Sequence, residues 1–146
     1  MVYAVIDTNV LVSALFSVHP DSATVIIRDK ISDGTIVPLY NSEIVEEYRD
    51  VLSRPKFRFP AELVTAVLNL ILQTGLSLER TRTGELFPDP ADAVFYEVAL
   101  SKDGSYLVTG NIKHFPKNPI VVTPAELLKI LESGGKGLGP STRKLF

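Results

Sequence analysis

The stretch that decides the fold is Val2-Tyr3-Ala4-Val5-Ile6-Asp7-Thr8-Asn9, close to the start of this 146-residue chain. Its first five residues are apolar, and a short unbroken run of this kind is typical of a parallel strand buried on both faces. The run stops at the carboxylate of Asp7, and apolar residues compatible with a helix resume at Val10. Because open α/β folds build their sites at the carboxyl edge of the sheet, Asp7 either binds a ligand there or serves only as a helix N-cap.

The composition indicates one globular domain that does not span a membrane. Hydrophobic residues make up 45% of the chain and charged residues 22%, a balance that argues against a disordered protein. No apolar run approaches the roughly 20 residues that cross a bilayer. No basic segment precedes residues 2–6, so they do not resemble a signal peptide. Since the sequence also lacks cysteine, we expect a cytoplasmic protein.

The residue types also limit which metal the chain could hold. There is no cysteine, and the two histidines, His19 and His114, cannot make a histidine-rich site. A metal would therefore be held by oxygen ligands, which are the donors that Mg²⁺ and Mn²⁺ prefer. The net charge of −2 gives no overall field that would attract nucleic acid, so a nucleic-acid partner requires a local basic patch.

Apolar segments alternate with helical patterns along the chain. The segments predicted as strands are residues 2–6, 35–40, 106–109 and 120–122. Leu76 and Leu78 favour a short additional strand. This alternation is typical of a three-layer α/β/α fold, with a central, mostly parallel sheet of four to five strands. We expect a single domain over residues 1–132 and a flexible, glycine-rich and basic tail over residues 133–146.

One helix carries an acid that can reach the same sheet edge as Asp7. The apolar stripe of the helix predicted over residues 42–53 is centred near Tyr48. At about 100° per residue, Glu47 lies on the shoulder of this stripe, where it can face an interior cleft. The alternative is that Glu47 belongs to a solvated acid pair that complements the helix dipole.

A second helix begins with acids at Asp89 and Asp92. Asp89 suits the N-cap, a proline follows it, and Asp92 falls in the first turn, so capping alone accounts for the pattern. Asp92 also shares the apolar face of this helix with Phe95 and Tyr96, which favours a functional site. Both interpretations fit the sequence.

Taken together, these residues predict an acidic metal site. Asp7 and Asn111 follow parallel strands, while Glu47 and Asp92 lie early in helices beside the same edge. Three carboxylates brought together repel one another unless a cation neutralises them. A divalent cation there can lower the pKa of a bound water and stabilise the leaving group of a phosphodiester. The predicted chemistry is metal-assisted phosphodiester hydrolysis.

Four segments of the chain, in the same order, resemble the signature segments of PIN-domain nucleases. They are residues 5–14, residues 42–57, residues 88–92 with Ala99 downstream, and residues 106–111. The resemblance covers about residues 2–131 and looks closest to VapC-like toxin components of toxin–antitoxin systems. It implies a Mg²⁺- or Mn²⁺-dependent endoribonuclease that acts on RNA and has a cognate antitoxin as a partner.

The resemblance also implies roles for individual residues. The catalytic positions are Asp7, Glu47, Asp92 and Asn111. The metal ligands are Asp7, Asp92, Glu47 and Asp89. The supporting hydrogen-bonding residues are Thr8, Asn9 and Thr109. Family members commonly carry an aspartate where Asn111 stands, so one metal is favoured over two. The alternative function is a catalytically weakened pseudo-nuclease that binds RNA or a protein partner.

The expected contacts with RNA and with protein partners lie elsewhere in the chain. The candidate substrate-binding residues are Arg54, Lys56, Arg58 and Lys113. Phe57 and Phe59 alternate with the first three and can stack on bases. The alternative is a solvated helix end and loop in which both aromatic side chains are buried. The helix predicted over residues 61–73 is apolar over more than one stripe, so we expect a homodimer or antitoxin contact there.

Overall fold

Five strands form the centre of the computed structural model, which describes residues 1–134. The strands are β1 (Val2–Ile6), β2 (Ile36–Tyr40), β3 (Leu76–Ser77), β4 (Tyr106–Val108) and β5 (Val121–Val122). They lie in the order β3-β2-β1-β4-β5, and every neighbouring pair is parallel. The four strands predicted from the sequence are found within one residue of their expected bounds, and the short additional strand is β3.

Six α-helices flank the sheet within residues 1–134. They are α1 (Thr8–Phe16), α2 (Ala23–Ser32), α3 (Ser42–Leu52), α4 (Ala61–Thr74), α5 (Pro90–Ala99) and α6 (Pro124–Glu132). The predicted three-layer α/β/α architecture with a parallel sheet is confirmed. None of these helices is long and apolar enough to cross a membrane. Of the predicted tail, only Ser133 and Gly134 lie within the described residues.

The central position of β1 explains why the site forms where it does. Ala4, Val5 and Ile6 have no exposed surface, as expected for a strand covered on both faces. β1 pairs with β2 through Val2 and Ile36 and with β4 through Ile6 and Val108. The residue that follows β1 therefore emerges in the middle of the carboxyl edge, where the strands of a parallel sheet place their functional groups.

The edge strand β3 comes very close to β2. An ideal Cβ at Gly75 would lie 2.5 Å from the carbonyl oxygen of Pro38 and 2.6 Å from that of Ile71. Pro38 has no N–H to donate, and the pairing of β2 with β3 begins only at the next residue, Leu39. Glycine between α4 and β3 thus permits an approach that any side chain would obstruct.

Candidate functional site

Asp7 is held by hydrogen bonds at the centre of the carboxyl edge. Its Oδ1 accepts from the N–H of Thr8 at 2.8 Å, while its Oδ2 accepts from Oγ1 of Thr109 at 2.7 Å and Nδ2 of Asn9 at 3.3 Å. Asp7 is the N-cap of α1 and is only 8% exposed. Burial raises its pKa, although the bonds from Thr109 and Thr8 oppose the rise. Since a carboxylate accepts about four hydrogen bonds, Asp7 keeps acceptor capacity for a ligand.

The segment after β4 is tied to the segment after β1. Thr109 is fully buried, and besides donating to Asp7 its Oγ1 accepts from the N–H of Asn111 at 3.0 Å. The N–H of Gly110 donates to Oδ1 of Asn9 at 3.1 Å. The side chains of Asn9 and Thr109 and the backbone of Thr8 thus orient the Asp7 carboxylate. The Thr8 hydroxyl is buried and has no hydrogen-bond partner within residues 1–134.

Tyr48 fixes α3 against the end of β1. Its hydroxyl donates to the carbonyl oxygen of Ile6 at 2.5 Å, and its ring packs edge-on against Phe95 of α5 with centroids 5.9 Å apart. Burial, and after it the Asp7 carboxylate, raise the pKa of Tyr48, so the hydroxyl remains a donor. This contact sets the position of the adjacent Glu47 relative to the sheet edge.

The carboxylates of Asp7, Glu47, Asp89 and Asp92 act on one another electrostatically; they are called the carboxylate cluster below. Burial, and after it the charges of Asp7 and Asp89, raise the pKa of Asp92 to about 6, against the lowering effect of His114. Burial also raises the pKa of Glu47, with Asp89 as the next cause. Burial and the neighbouring carboxylates together disfavour the ionised forms, so a cation bound at the cluster would stabilise them.

Asn111 is connected to this cluster through a histidine. Its exposed side-chain amide lies 3.1 Å from Nε2 of His114, and Nδ1 of that ring lies 3.9 Å from Oδ2 of Asp92. From the sequence we predict Asn111 directly among the acids but not its contact with His114. A histidine three residues after Asn111, on the same short helical turn, is a local signal that could have indicated this contact.

The cluster suits a divalent cation by its donor chemistry. Within residues 1–134, no three histidine or carboxylate side chains stand close enough to hold an ion as they are. The four carboxylates nevertheless supply oxygen donors and an excess of negative charge, which hard cations such as Mg²⁺ and Mn²⁺ neutralise. The residues therefore fit such an ion, and their side chains would have to close on it.

A known protein family matches the chain. The profile of the PIN domain matches residues 3–113, which is most of the chain. The chain belongs to the PIN-domain family. Because PIN domains are generally nucleases, we assign the chain as a nuclease, a hydrolase that acts on nucleic acid. No curated protein matches the chain significantly.

The PIN domain also contains a buried ion pair that sequence reasoning missed. Glu97 of α5 is 3% exposed, and its Oε1 accepts from Nε of Arg80 at 2.8 Å and lies 2.6 Å from Nη2 of the same guanidinium. Its Oε2 accepts from the N–H of Thr83 at 2.9 Å and from its hydroxyl at 3.0 Å. Burial alone would raise the pKa of Glu97, but these hydrogen bonds outweigh it and lower the pKa. The sequence feature that could have indicated this ion pair is the single glutamate within the apolar residues 94–99.

The predicted substrate-binding residues are all exposed on the PIN domain. Arg54 is exposed, pairs with Asp50 at 3.2 Å and slightly lowers the pKa of Glu47, so it lies near the cluster. Lys56 lies over the ring of Phe57, with Nζ 5.1 Å from the centroid. Lys113 is exposed on the turn after Asn111. The structure thus places Arg54 near the acids, and the role of the whole set in substrate binding stays a prediction.

The aromatic residues of the basic stretch are engaged with one another. The rings of Phe57 and Phe59 stack with centroids 5.6 Å apart, and both contact Phe16 of α1. Arg58 between them is exposed and adopts a left-handed backbone conformation with φ of 57°. The half-buried rings therefore pack against one another and against Phe16, which favours a role in the fold over base stacking for this stretch.

Proposed function

We propose that this PIN domain is a divalent-metal-dependent endoribonuclease that hydrolyses RNA phosphodiester bonds, and that it is the toxin of a toxin–antitoxin pair. The observation that carries the proposal is the carboxylate cluster itself. Asp7 follows β1, Glu47 lies on α3, and Asp89 and Asp92 begin α5, yet burial first and then the neighbouring carboxylates raise the pKa values of Asp7, Glu47 and Asp92. Acids assembled from three separate elements at the carboxyl edge of a parallel sheet suit a catalytic cation.

The four carboxylates of the cluster would hold Mg²⁺ or Mn²⁺. When bound, such an ion lowers the pKa of a water and stabilises the charge that develops on a phosphodiester. Asp7 offers a carboxylate whose orientation is already fixed by Thr8, Asn9 and Thr109. The neutral amide of Asn111 favours a single ion, because it adds an oxygen donor without adding charge.

Asp92 gives the chain a group that exchanges protons near neutral pH. With a pKa of about 6, it is partly protonated in slightly acidic solution and ionised above neutrality. Metal ligands must be deprotonated, so cation binding and cleavage should both rise with pH through this range. Lys113, exposed beside the site, is proposed to contact a substrate phosphate.

Cleavage of single-stranded RNA in the presence of Mn²⁺ tests the proposal. We expect the wild-type chain to cut RNA, the chelator EDTA to stop it, and Asp7→Asn to remove the activity. Asp103→Asn, which neutralises an exposed acid outside the cluster, serves as the control and should remain active. If wild type and Asp7→Asn are equally inert on varied RNAs, the alternative of a pseudo-nuclease that binds RNA or a partner replaces the enzyme.

The protein partners are proposed from the resemblance and from the surface of α4. Leu72 on this helix is 41% exposed, and α1, α2 and α4 enclose an apolar groove of about 210 Å³ lined by Leu15 and Leu70. We propose this surface for an antitoxin or a second copy, with a cytoplasmic location. Light scattering tests the homodimer, and a monomer at high concentration would exclude it.

A further inference from the structure

A cleft of about 520 Å³ opens beside the carboxylate cluster, between α3, α5 and residues 80–87. Glu47 lines the cleft and also belongs to the cluster, so the two are contiguous. The volume lies within the about 300–1,000 Å³ that small-molecule sites occupy. A group bound in the cleft would therefore lie next to the proposed site of hydrolysis.

The charges in the cleft favour a neutral group over a phosphate. Three carboxylates, those of Glu43, Glu47 and Glu85, line it together with two guanidinium groups. One of these, Arg80, is already paired with Glu97 and, at 3.1 Å, with Glu43. A phosphate would meet net negative charge there, whereas an uncharged nucleobase would not.

Two charged side chains remain available to read the edge of a base. Within residues 1–134, neither Arg82 nor the side chain of Glu85 makes an ion pair or a hydrogen bond. An arginine fork pairs with O6 and N7 of guanine, and a carboxylate accepts from amino groups on base edges. Guanine presents both kinds of group, whereas uracil has no amino group, so Arg82 and Glu85 together match guanine better than uracil.

The wall of the cleft is fixed before any ligand binds. Glu97 accepts from Arg80 and Thr83, which anchors both ends of the segment that carries Arg82, and the N–H of Glu85 donates to Oγ1 of Thr83 at 3.2 Å. A buried ion pair adds little net stability compared with apolar packing. Its contribution here is one defined loop conformation, which is what a recognition site needs.

Apolar side chains at the rim suit the face of a base. Leu86 is 98% exposed, which is unusual for leucine, and it lines the cleft next to Phe87. Phe87 is held in place against Tyr96, with ring centroids 5.8 Å apart. Single-stranded RNA is recognised by bases that are splayed out, packed on such side chains and hydrogen-bonded along their edges.

From these features we propose that the cleft binds one nucleobase of the RNA strand beside the scissile phosphate, with guanine preferred over uracil. The inference deepens the proposed ribonuclease function and rests on it for the identity of the strand. Arg82 and Glu85 read the base edge, Leu86 and Phe87 support its face, and the buried Glu97 holds the wall in place.

Binding without metal tests this inference separately from catalysis. Fluorescence anisotropy in EDTA would compare an all-uridine pentanucleotide with one that carries a single central guanosine. We expect the full-length wild type to bind the second about tenfold more tightly, the effect of one bidentate base contact. Arg82→Ala and Arg82→Lys should abolish this preference, because lysine keeps the charge but lacks the fork. Arg28→Ala, which replaces a half-exposed arginine on α2, is the matched control and should retain it.

Each result bears on one proposal or the other. Equal affinity of wild type for both oligonucleotides, or a preference that survives in Arg82→Ala, overturns the base-binding cleft. Cleavage by wild type with Mn²⁺ and no guanine preference leaves the ribonuclease function standing and removes only this inference. A guanine preference in a chain that never cleaves RNA supports the cleft and contradicts the catalytic proposal. Because Arg82 is exposed, we expect its variants to fold like wild type, and unfolding curves check this.

Discussion

Asp92→Asn should stabilise the protein in the absence of metal. The pKa of Asp92 is raised to about 6 by burial and by its acidic neighbours, so ionisation is less favourable in the folded chain than in the unfolded one. Between the unperturbed value of 3.8 and about 6, the folded state binds more protons, and its stability therefore falls as pH rises. Asparagine removes this penalty while keeping nearly the same shape.

The size of the effect follows from the shift. A rise of about two pKa units at about 1.4 kcal/mol per unit gives an upper value of about 3 kcal/mol above neutral pH. Because the repulsion is shared among coupled carboxylates, we expect Asp92→Asn to recover about 2 kcal/mol. The side chain is only 16% exposed, so solvent screens little of the repulsion.

Urea unfolding in EDTA at about pH 8 and about pH 4 measures this difference. We expect the variant to be more stable at the higher pH and equal to wild type at the lower one, where Asp92 is protonated. Added Mn²⁺ should then stabilise wild type more than the variant, since only ions bound to the folded state shift the equilibrium. Asp103→Asn is the control. A variant no more stable than wild type at about pH 8 would refute the account of the cluster.

Three further substitutions test contacts away from the acids. Tyr48→Phe removes the buried bond to the Ile6 carbonyl, so urea unfolding should show a loss of about 1–3 kcal/mol, and an unchanged midpoint would argue against that bond. Gly75→Ala forces a Cβ against the carbonyl of Pro38 and should cost about 1–3 kcal/mol; a neutral result would show that β3 can shift. Glu97→Leu should lower the free energy of unfolding by about 3–5 kcal/mol and speed amide hydrogen exchange over residues 80–87. Unchanged exchange would show that Glu97 does not hold this loop in place.

The parts of the site that depend on local periodicity could be predicted from the sequence. The apolar run of residues 2–6 and the polar residue after it sufficed to place Asp7 at the carboxyl edge of a parallel sheet. The helical period of α3 placed Glu47 on the shoulder of its apolar stripe, and the structure finds it half-buried within the cluster. The roles of these residues as metal ligands stay predictions.

Contacts between distant residues of irregular segments could not be predicted. Arg80 and Thr83 lie in a stretch without periodicity, and nothing local indicates that they converge on Glu97. The hydroxyl of Tyr48 reaches Ile6 across 42 positions of sequence, although its ring was correctly expected in the core. Such contacts depend on how helices and loops pack on the sheet, which the pattern of one segment does not contain.

The proposed function requires the carboxylate cluster to be a divalent-metal centre. Soaking crystals in Mn²⁺ and recording its anomalous density tests this most directly, because the signal identifies the ion and its ligands together. We expect one peak held by the carboxylates of Asp7 and Asp92 and absent from crystals of Asp7→Asn. No density at the cluster in millimolar Mn²⁺, or density held by other residues, would contradict it.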